Sequence, residues 1–303
     1  MKNNHTLIIG GGIVGATLAL KLAQAQMPVT LIDARPQRDE SDWQQVLGKR
    51  DARVYALSLA SIGLLKDVGA WQKIAASERK ADYTQMQVWQ LNGRGELLFG
   101  DSDDANNSND GNNSNQNSEP KMLGSMVEPA VIEHALWQRL SASDVSQYLT
   151  VIDGHKVVDM DWLGSAQGYR VTLDDGTVID ARLLVGADGR GSFVRKQAAI
   201  ELDVLDYNQT AICCAIQTDK PHLATARQAM LPTGTLALLP LADITDEDNA
   251  NPEHWQSIVW TLPRNQALAL LEETPRYIAD KLAAASNYEL GAIREIESIA
   301  SFP

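Results

Sequence analysis

The sequence predicts an α/β protein in which a doubly wound, mainly parallel sheet is joined to a second, α+β part with a mainly antiparallel sheet. Three observations predict it. A short apolar strand pattern, Thr6–Ile9, runs into GGGIVG at residues 10–15 and then into a helical pattern over Ile13–Gln26, where Val14, Leu18 and Leu22 recur at helical spacing. A second strand pattern, Val29–Ile32, ends on Asp33 and completes the β-α-β opening of a doubly wound sheet. Far along the chain, LLVGADGRGSFVR at Leu183–Arg195 delivers Asp188 and Gly189 to another strand end. One glycine-rich turn points to a nucleotide; two such elements, distant in sequence, point to one long dinucleotide held from both sides.

Between these landmarks the elements come in order. Arg53–Trp71 reads as helical over most of its length, with Leu57, Ile62, Leu64 and Leu65 as core candidates. Asn92-Gly93 sits between MQVWQL and ELLF, which signals a hairpin over Gln85–Phe99. Residues 101–121 are rich in Asn, Asp and Ser, and Asp101–Glu119 carries no large apolar side chain. Such a tract cannot bury enough surface to offset its ordering entropy, so a disordered surface loop is expected. Pro129 opens a helix with Ile132, Leu136 and Leu140 on one face. Thr150–Val185 reads as three strands of a β-meander, TVIDGHKVVDMDW, GYRVTL and TVIDARLLV, with Asp175-Gly176 turning between the last two. Tyr207–Thr218, Ala226–Leu239 and Gln256–Leu262 read as strands of the second sheet, with one or two helices across Asn265–Ala285. The expected division is 1–75 with 122–200 for the dinucleotide-binding domain, and 76–100 with 201–303 for the second, substrate domain.

Bulk properties narrow the function classes. At 303 residues and 44% hydrophobic content the chain can build a substantial core. A net charge of −13 argues against nucleic acid and against a polybasic grip on anionic lipid. The two cysteines, Cys213 and Cys214, are adjacent inside the apolar run TAICCAI, a spacing that suits neither a disulfide nor a metal site. A buried strand in a reducing, cytoplasmic setting is the expectation, with no more than peripheral membrane contact. His134, His155, His222 and His254 show no convergent pattern.

Gly10, Gly12 and Gly15 match the spacing G-x-G-x-x-G directly after a strand and at the head of a helix. The first glycine permits the tight turn, the second lets a pyrophosphate approach the backbone, and the third lets helix and strand pack closely. The helix N-terminus adds unpaired N–H groups and partial positive charge. Asp33 is placed to accept hydrogen bonds from an adenosine ribose. These residues do not separate NAD from FAD.

GGGIVG, RVYALSLASIGLLKDVGAW at Arg53–Trp71, MVEPAVIEHALWQRL at Met126–Leu140 and GADGRGSFVR at Gly186–Arg195 together resemble the FAD-dependent aromatic hydroxylases, and within them the ubiquinone-biosynthesis hydroxylases. The resemblance implies FAD as cofactor, NADH or NADPH as electron donor, dioxygen as co-substrate and a flavin hydroperoxide that hydroxylates a polyprenylated phenol or benzoquinol ring. It implies that Arg53 lies near the flavin and its pyrophosphate, and that Asp188, with Gly189, contacts the ribityl and pyrophosphate region. Ser192 and Arg195 fit the same pattern and also suit helix capping. No protein nucleophile is implied, and no catalytic residue is assigned. The run Ala229–Asp243 resembles a segment that helps line the substrate cavity, expected between the two sheets. Other ubiquinone-synthesis proteins are implied as partners. A third motif of the family, a glycine-aspartate before an alanine-rich turn, would come after SIASFP, so a truncated form is expected. The alternatives are a non-catalytic fragment or assembly partner, and another FAD oxidoreductase of the same fold.

Overall fold

The computed structural model describes residues 5–91, 93, 95–100, 121–242 and 253–303. The chain opens with β1 (Thr6–Ile9), α1 (Ile13–Gln24) and β2 (Val29–Asp33), followed by α2 (Glu40–Leu47). The Val14–Leu18–Leu22 stripe that reveals α1 is not its buried face, since Val14 is 74% exposed. The buried side is Gly15, Ala16, Ala19, Leu20 and Ala23, because small residues let the helix lie close on the sheet.

The stretch expected to be one helix from Arg53 is instead β3 (Tyr55–Ser58), α3 (Leu59–Asp67) and the start of α4 (Trp71–Ala76). Ile62 and Leu65 are buried as expected, whereas Leu64 is exposed and Leu57 sits half-buried in the strand. Cross-strand pairing overrides the helical spacing here: Tyr55–Ser58 runs antiparallel to the later segment Gly124–Val127. Next come β4 (Lys80–Tyr83) and the hairpin of β5 (Gln85–Gln90) and β6 (Glu96–Gly100), paired antiparallel from Gln85↔Gly100 to Trp89↔Glu96. Asn92 of its expected turn and residues 101–120 of the expected loop lie outside the described residues.

After β7 (Gly124–Val127), α5 (Pro129–Leu140) buries Ile132, Leu136 and Leu140 as its spacing predicts. The expected three-strand meander is five strands: β8 (Leu149–Asp153), β9 (Val157–Trp162), β10 (Tyr169–Leu173), β11 (Val178–Ala181) and β12 (Leu183–Gly186), then α6 (Phe193–Gln197). The first and last expected strands each break in two, at Gly154 and at Arg182. Their outer halves, β8 and β12, leave the meander and join the parallel sheet. The remainder is β13 (Gln209–Thr218), β14 (Thr225–Leu231), β15 (Gly234–Pro240), β16 (Trp255–Pro263), α7 (Arg264–Leu271), α8 (Pro275–Ala285) and β17 (Ile293–Phe302). Ala226–Leu239 is thus two antiparallel strands turning at Pro232-Thr233.

Two compact units result. The first comprises Met1–Gly48, Leu64–Lys73 and Ala130–Leu205. It holds the parallel sheet β12-β1-β2-β8 and the antiparallel meander β11-β10-β9. Leu7, Ile9 and Ile32 of the sheet pack with Val171, Leu173 and Ala181 of the meander in one core. The second comprises Lys49–Gly63, Ile74–Pro129 and Asp206–Pro303. Its seven-stranded sheet runs β17-β13-β16-β15-β14-β5-β6, antiparallel apart from the β14–β5 pair, and β3-β7-β4 form a small sheet of their own. Ile212, Cys214, Ile216 and Ile258 pack under Ile278, Leu282 and Ala283 of α8. Burial pushes the Cys214 thiol up to about 12.

Candidate functional site

The first unit gathers the glycine-rich turn, Asp33 and the Asp188 motif through the register of its parallel strands. Ile9 pairs with both Ile32 and Gly186, so β12, β1 and β2 finish on one level. The ladder continues one step further, with Gly10 N–H donating to the Ile32 carbonyl and Ala187 N–H to the Ile9 carbonyl, each at 2.7 Å. The segments that leave these strand ends therefore face the same crevice beyond the carboxyl edge of the sheet, where a doubly wound fold binds its ligand.

The glycines divide their tasks as the spacing predicts. Gly10 has φ +107°, and a Cβ there would lie 2.5 Å from the Ala187 carbonyl carbon and 2.7 Å from the Asp188 nitrogen. A Cβ on Gly15 would run into the Gly10 carbonyl and stand 3.2 Å from the Ala187 Cβ. Both are demanded by close approach, and both draw the two motifs together. Gly12 differs, because no atom lies within 4 Å of where its Cβ would be. It precedes α1 with extended backbone, offers no capping side chain, and the first turn of α1 carries no acidic residue. The helix N–H groups there stay available to an anion.

Asp33, 6% exposed, accepts from Gly11 N–H at 2.5 Å through Oδ2, and from Arg35 N–H at 2.8 Å and Arg35 Nε at 3.1 Å through Oδ1. The same contact raises the Arg35 pKa. Asp188 caps α6: Oδ1 accepts from Ser192 Oγ at 2.6 Å, and Oδ2 from Phe193 N–H at 2.6 Å and Val194 N–H at 3.1 Å. Ser192 in turn accepts from Arg195 N–H at 2.9 Å, and Arg195 Nη2 donates to the Arg190 carbonyl. Gly189 has φ +80° and open space above its Cα, which keeps the backbone low beside the crevice.

A cavity of about 560 Å³ fills this crevice. Its wall includes Gly10, Gly12, Asp33, Asp188 and Gly189, five of the seven residues singled out from the sequence. Gly15 stands behind the wall as the packing glycine. Arg53 belongs to the second unit, where its guanidinium lies 4.5 Å from the centre of the Phe302 ring and its N–H donates to Asp51 Oδ1. The loop it stands on is tied down by Glu128, which accepts from Asp51 N–H at 2.7 Å and forms a buried ion pair with Arg79.

Sequence reasoning missed Arg35, His155, Lys156 and Phe193, which also line the cavity. His155 reaches it because β8 pairs in parallel with β2, from Val29↔Leu149 to Asp33↔Asp153, and so ends at the same crevice. Its Nδ1 lies 3.0 Å from Asp174 Oδ1, and that hydrogen bond raises the His155 pKa, helped by Asp175. The signal available was the run TVID, which repeats the TLID of β2 before its own turn.

Comparison with known proteins gives this geometry a context. Residues 3–257 match the family described as FAD binding domain. The 3-demethoxyubiquinol 3-hydroxylase of Escherichia coli K12 is 32% identical over 266 residues, covering 86% of this chain and 58% of that protein. The ubiquinone hydroxylase UbiL of Rhodospirillum rubrum is 28% identical, covering 97% and 60%. The human mitochondrial ubiquinone biosynthesis monooxygenase COQ6 is 28% identical, covering 92% and 55%. The chain thus spans between half and three fifths of the length of these relatives. Among solved structures, PqsL of Pseudomonas aeruginosa, described as a probable FAD-dependent monooxygenase, superposes with a TM-score of 0.69 at 17% identity, covering 99% of this chain and 73% of that one. A 2-methyl-3-hydroxypyridine-5-carboxylic acid oxygenase superposes at 0.62 and 15% identity, covering 100% and 71%. At such identities these two structures show the shared fold.

Proposed function

The chain belongs to the FAD binding domain family, and from that membership we propose that it holds FAD in the crevice of its first unit, as part of a monooxygenase that hydroxylates a polyprenylated phenol or benzoquinol ring in ubiquinone biosynthesis. NADH or NADPH supplies the electrons, one atom of dioxygen enters the ring, and the other leaves as water. The observation that carries the reading is the meeting of Gly10, Gly12, Asp33, Asp188 and Gly189 on one cavity wall, with the backbone of the two motifs in contact.

The residues fit the cofactor. Gly10 and Gly15 let the two motifs close on each other, since a Cβ on either would meet Gly10, Ala187 or Asp188, and Gly12 leaves clear the approach to the α1 N-terminus that a pyrophosphate requires. FAD would supply the redox chemistry, and the chain would bind and orient it. Asp33 stands on the cavity wall beside Arg35, and a ribose hydroxyl would bond to its carboxylate in place of the long Arg35 Nη2 contact to Oδ2 at 3.5 Å. Lys156 adds a cation to the cavity wall. Asp188 shapes the Ala187–Gly189 turn by anchoring α6, so that the backbone of the turn faces the dinucleotide. Arg53 enters this reading as a donor to the flavin and its pyrophosphate, a role supported by the family resemblance. The substrate domain is the second unit, and the apolar ring substrate suits a peripheral encounter with a membrane. Among the described residues no helix is long and apolar enough to cross one.

The test is to purify the 303-residue chain, titrate it with FAD by flavin fluorescence and record the visible spectrum. Bound flavin, and NAD(P)H oxidation stimulated by a demethoxyubiquinol, are expected for the full reading. Bound flavin without stimulation by the quinol would defeat the substrate assignment. A chain that takes up no FAD would defeat the cofactor assignment.

A further inference from the structure

Trp137 stands 126 residues from Gly11, yet its indole Nε1–H donates to the Gly11 carbonyl at 3.2 Å. The Gly11 N–H is anchored as well, by Asp33 Oδ2 at 2.5 Å. Both hydrogen-bonding groups of one residue, in the middle of a three-glycine run, are therefore held by side chains. Trp137 is 6% exposed and sits on α5 beside the fully buried Leu136. Its ring presses against the turn, since a Cβ on Gly11 would stand 3.0 Å from Trp137 Cζ2 and 2.9 Å from Asp33 Oδ2.

Successive glycines have the greatest backbone freedom to lose on ordering, and a turn left to itself would lose that entropy when a ligand binds. Here it is ordered in advance by two side chains. Asp33 and Trp137 fix Gly11, whereas Gly12, the next residue, faces the cavity with nothing near it. Only tryptophan joins a large apolar body to a single donor with no acceptor. The body fills the space under the turn and the donor fixes the orientation of the peptide. We infer that Trp137 is a positioning residue for the dinucleotide: it clamps the Gly10–Gly12 turn so that the N–H groups at the head of α1 meet the pyrophosphate without rearrangement. The inference rests on the reading of this crevice as the FAD site.

The experiment compares the wild-type chain with Trp137→Phe, which keeps an aromatic body and removes the donor. FAD affinity is measured by fluorescence titration, and amide hydrogen exchange is followed over residues 6–16. The expected result is a loss of affinity of roughly 3- to 10-fold, the range one neutral hydrogen bond contributes, with faster exchange in 10–12 and unchanged exchange in β1. Affinity and exchange both like the wild type would overturn the inference. Equal loss of protection across β1, β2 and α5 would also overturn it, because Trp137 would then act on the fold alone. If the wild-type chain takes up no FAD, the cofactor reading fails, and the exchange comparison still decides whether Trp137 clamps the turn. Should Trp137→Phe not fold, nitrogen-15 spectra of the wild type serve instead: the Trp137 indole N–H must be protected from exchange without ligand, and a freely exchanging one would refute the clamp.

Discussion

Gly10 and Gly12 belong to one motif, yet the structure assigns them opposite consequences on substitution by alanine. At Gly10 the backbone has φ +107°, a region that costs a side chain about 1–3 kcal/mol. The new Cβ would also press on the Ala187 carbonyl carbon and the Asp188 nitrogen, backbone atoms that cannot rotate away and that directly follow the Ala187 N–H bonded to Ile9. Overpacking of that kind costs about 1–3 kcal/mol more. Gly10→Ala should therefore lose roughly 2–6 kcal/mol, a large part of the stability of an ordinary domain. At Gly12, with φ −69° and ψ −177°, alanine meets no strain and no neighbour. Its stability should move by less than about 1 kcal/mol, because alanine narrows the unfolded ensemble but is a poorer N-cap than glycine.

Ligand binding should invert that order. The methyl group of Gly12→Ala stands where a pyrophosphate must approach the helix N-terminus, so FAD affinity should fall by roughly tenfold or more. Urea denaturation without FAD measures the first effect and fluorescence titration the second. If Gly10→Ala lies within about 1 kcal/mol of the wild type, the close approach of the two motifs is not what demands the first glycine. If Gly12→Ala binds FAD like the wild type, the pyrophosphate does not sit at the head of α1.

Three further outcomes rest on particular contacts. Glu128→Gln removes the negative charge from a buried ion pair with Arg79, the two side chains being 3% and 12% exposed, and should cost about 3–5 kcal/mol in urea denaturation; a loss below about 1 kcal/mol would show that the charge of Glu128 contributes no more than a surface ion pair does. The hydrogen bond to Asp174 raises the His155 pKa and lowers that of Asp174. The pair's stabilisation is therefore full between the unfolded values of about 4 and about 6.5. It fades as pH rises through the raised histidine value or falls through the depressed carboxylate value. The protonated ring adds positive charge to the cavity wall, so FAD should bind more tightly toward about pH 6 than toward about pH 8; His155→Gln should flatten that dependence, and an unchanged profile in the variant would remove His155 from the site. Cys213 and Cys214 are buried and both thiols are pushed up by desolvation, so a thiol reagent should react only at the rate of unfolding; rapid reaction of the native chain would contradict the placement of β13 in the core.

The glycine motif is legible in the sequence because its requirements are local: a positive φ, a missing Cβ and a helix head must occur at fixed spacing whatever else the chain does. Asp33 is legible for the same reason, at the end of a strand that the next element must leave. The alternation in TVIDGHKVVDMDW, by contrast, reveals strands and says nothing about partners. Only the parallel register of β8 against β2 brings His155 to the crevice. The first part of Arg53–Trp71 misleads because its apolar spacing suits a helix, while β7 offers Tyr55–Ser58 a ladder. Asp188 stands out by its motif, but the motif does not say that its carboxylate is engaged by α6; that depends on Phe193 and Val194, whose N–H groups at the head of the helix lie nearest.

The site is thus a consequence of register more than of any single motif. Strands β12, β1 and β2 end on one level because Ile9 pairs with Ile32 on one side and Gly186 on the other, and each hydrogen bond carries the pattern one residue beyond the strand. A shift of β12 by a single residue would reverse the facing of Leu184, which packs against the meander, and withdraw the Ala187 carbonyl from Gly10. Core packing and site assembly therefore select the same register. For that reason the residues that set the site's precision are those that fix Gly11, Asp33 from the cavity wall and Trp137 from behind, and a substitution of Trp137 should change ligand affinity more than its place outside the cavity wall suggests.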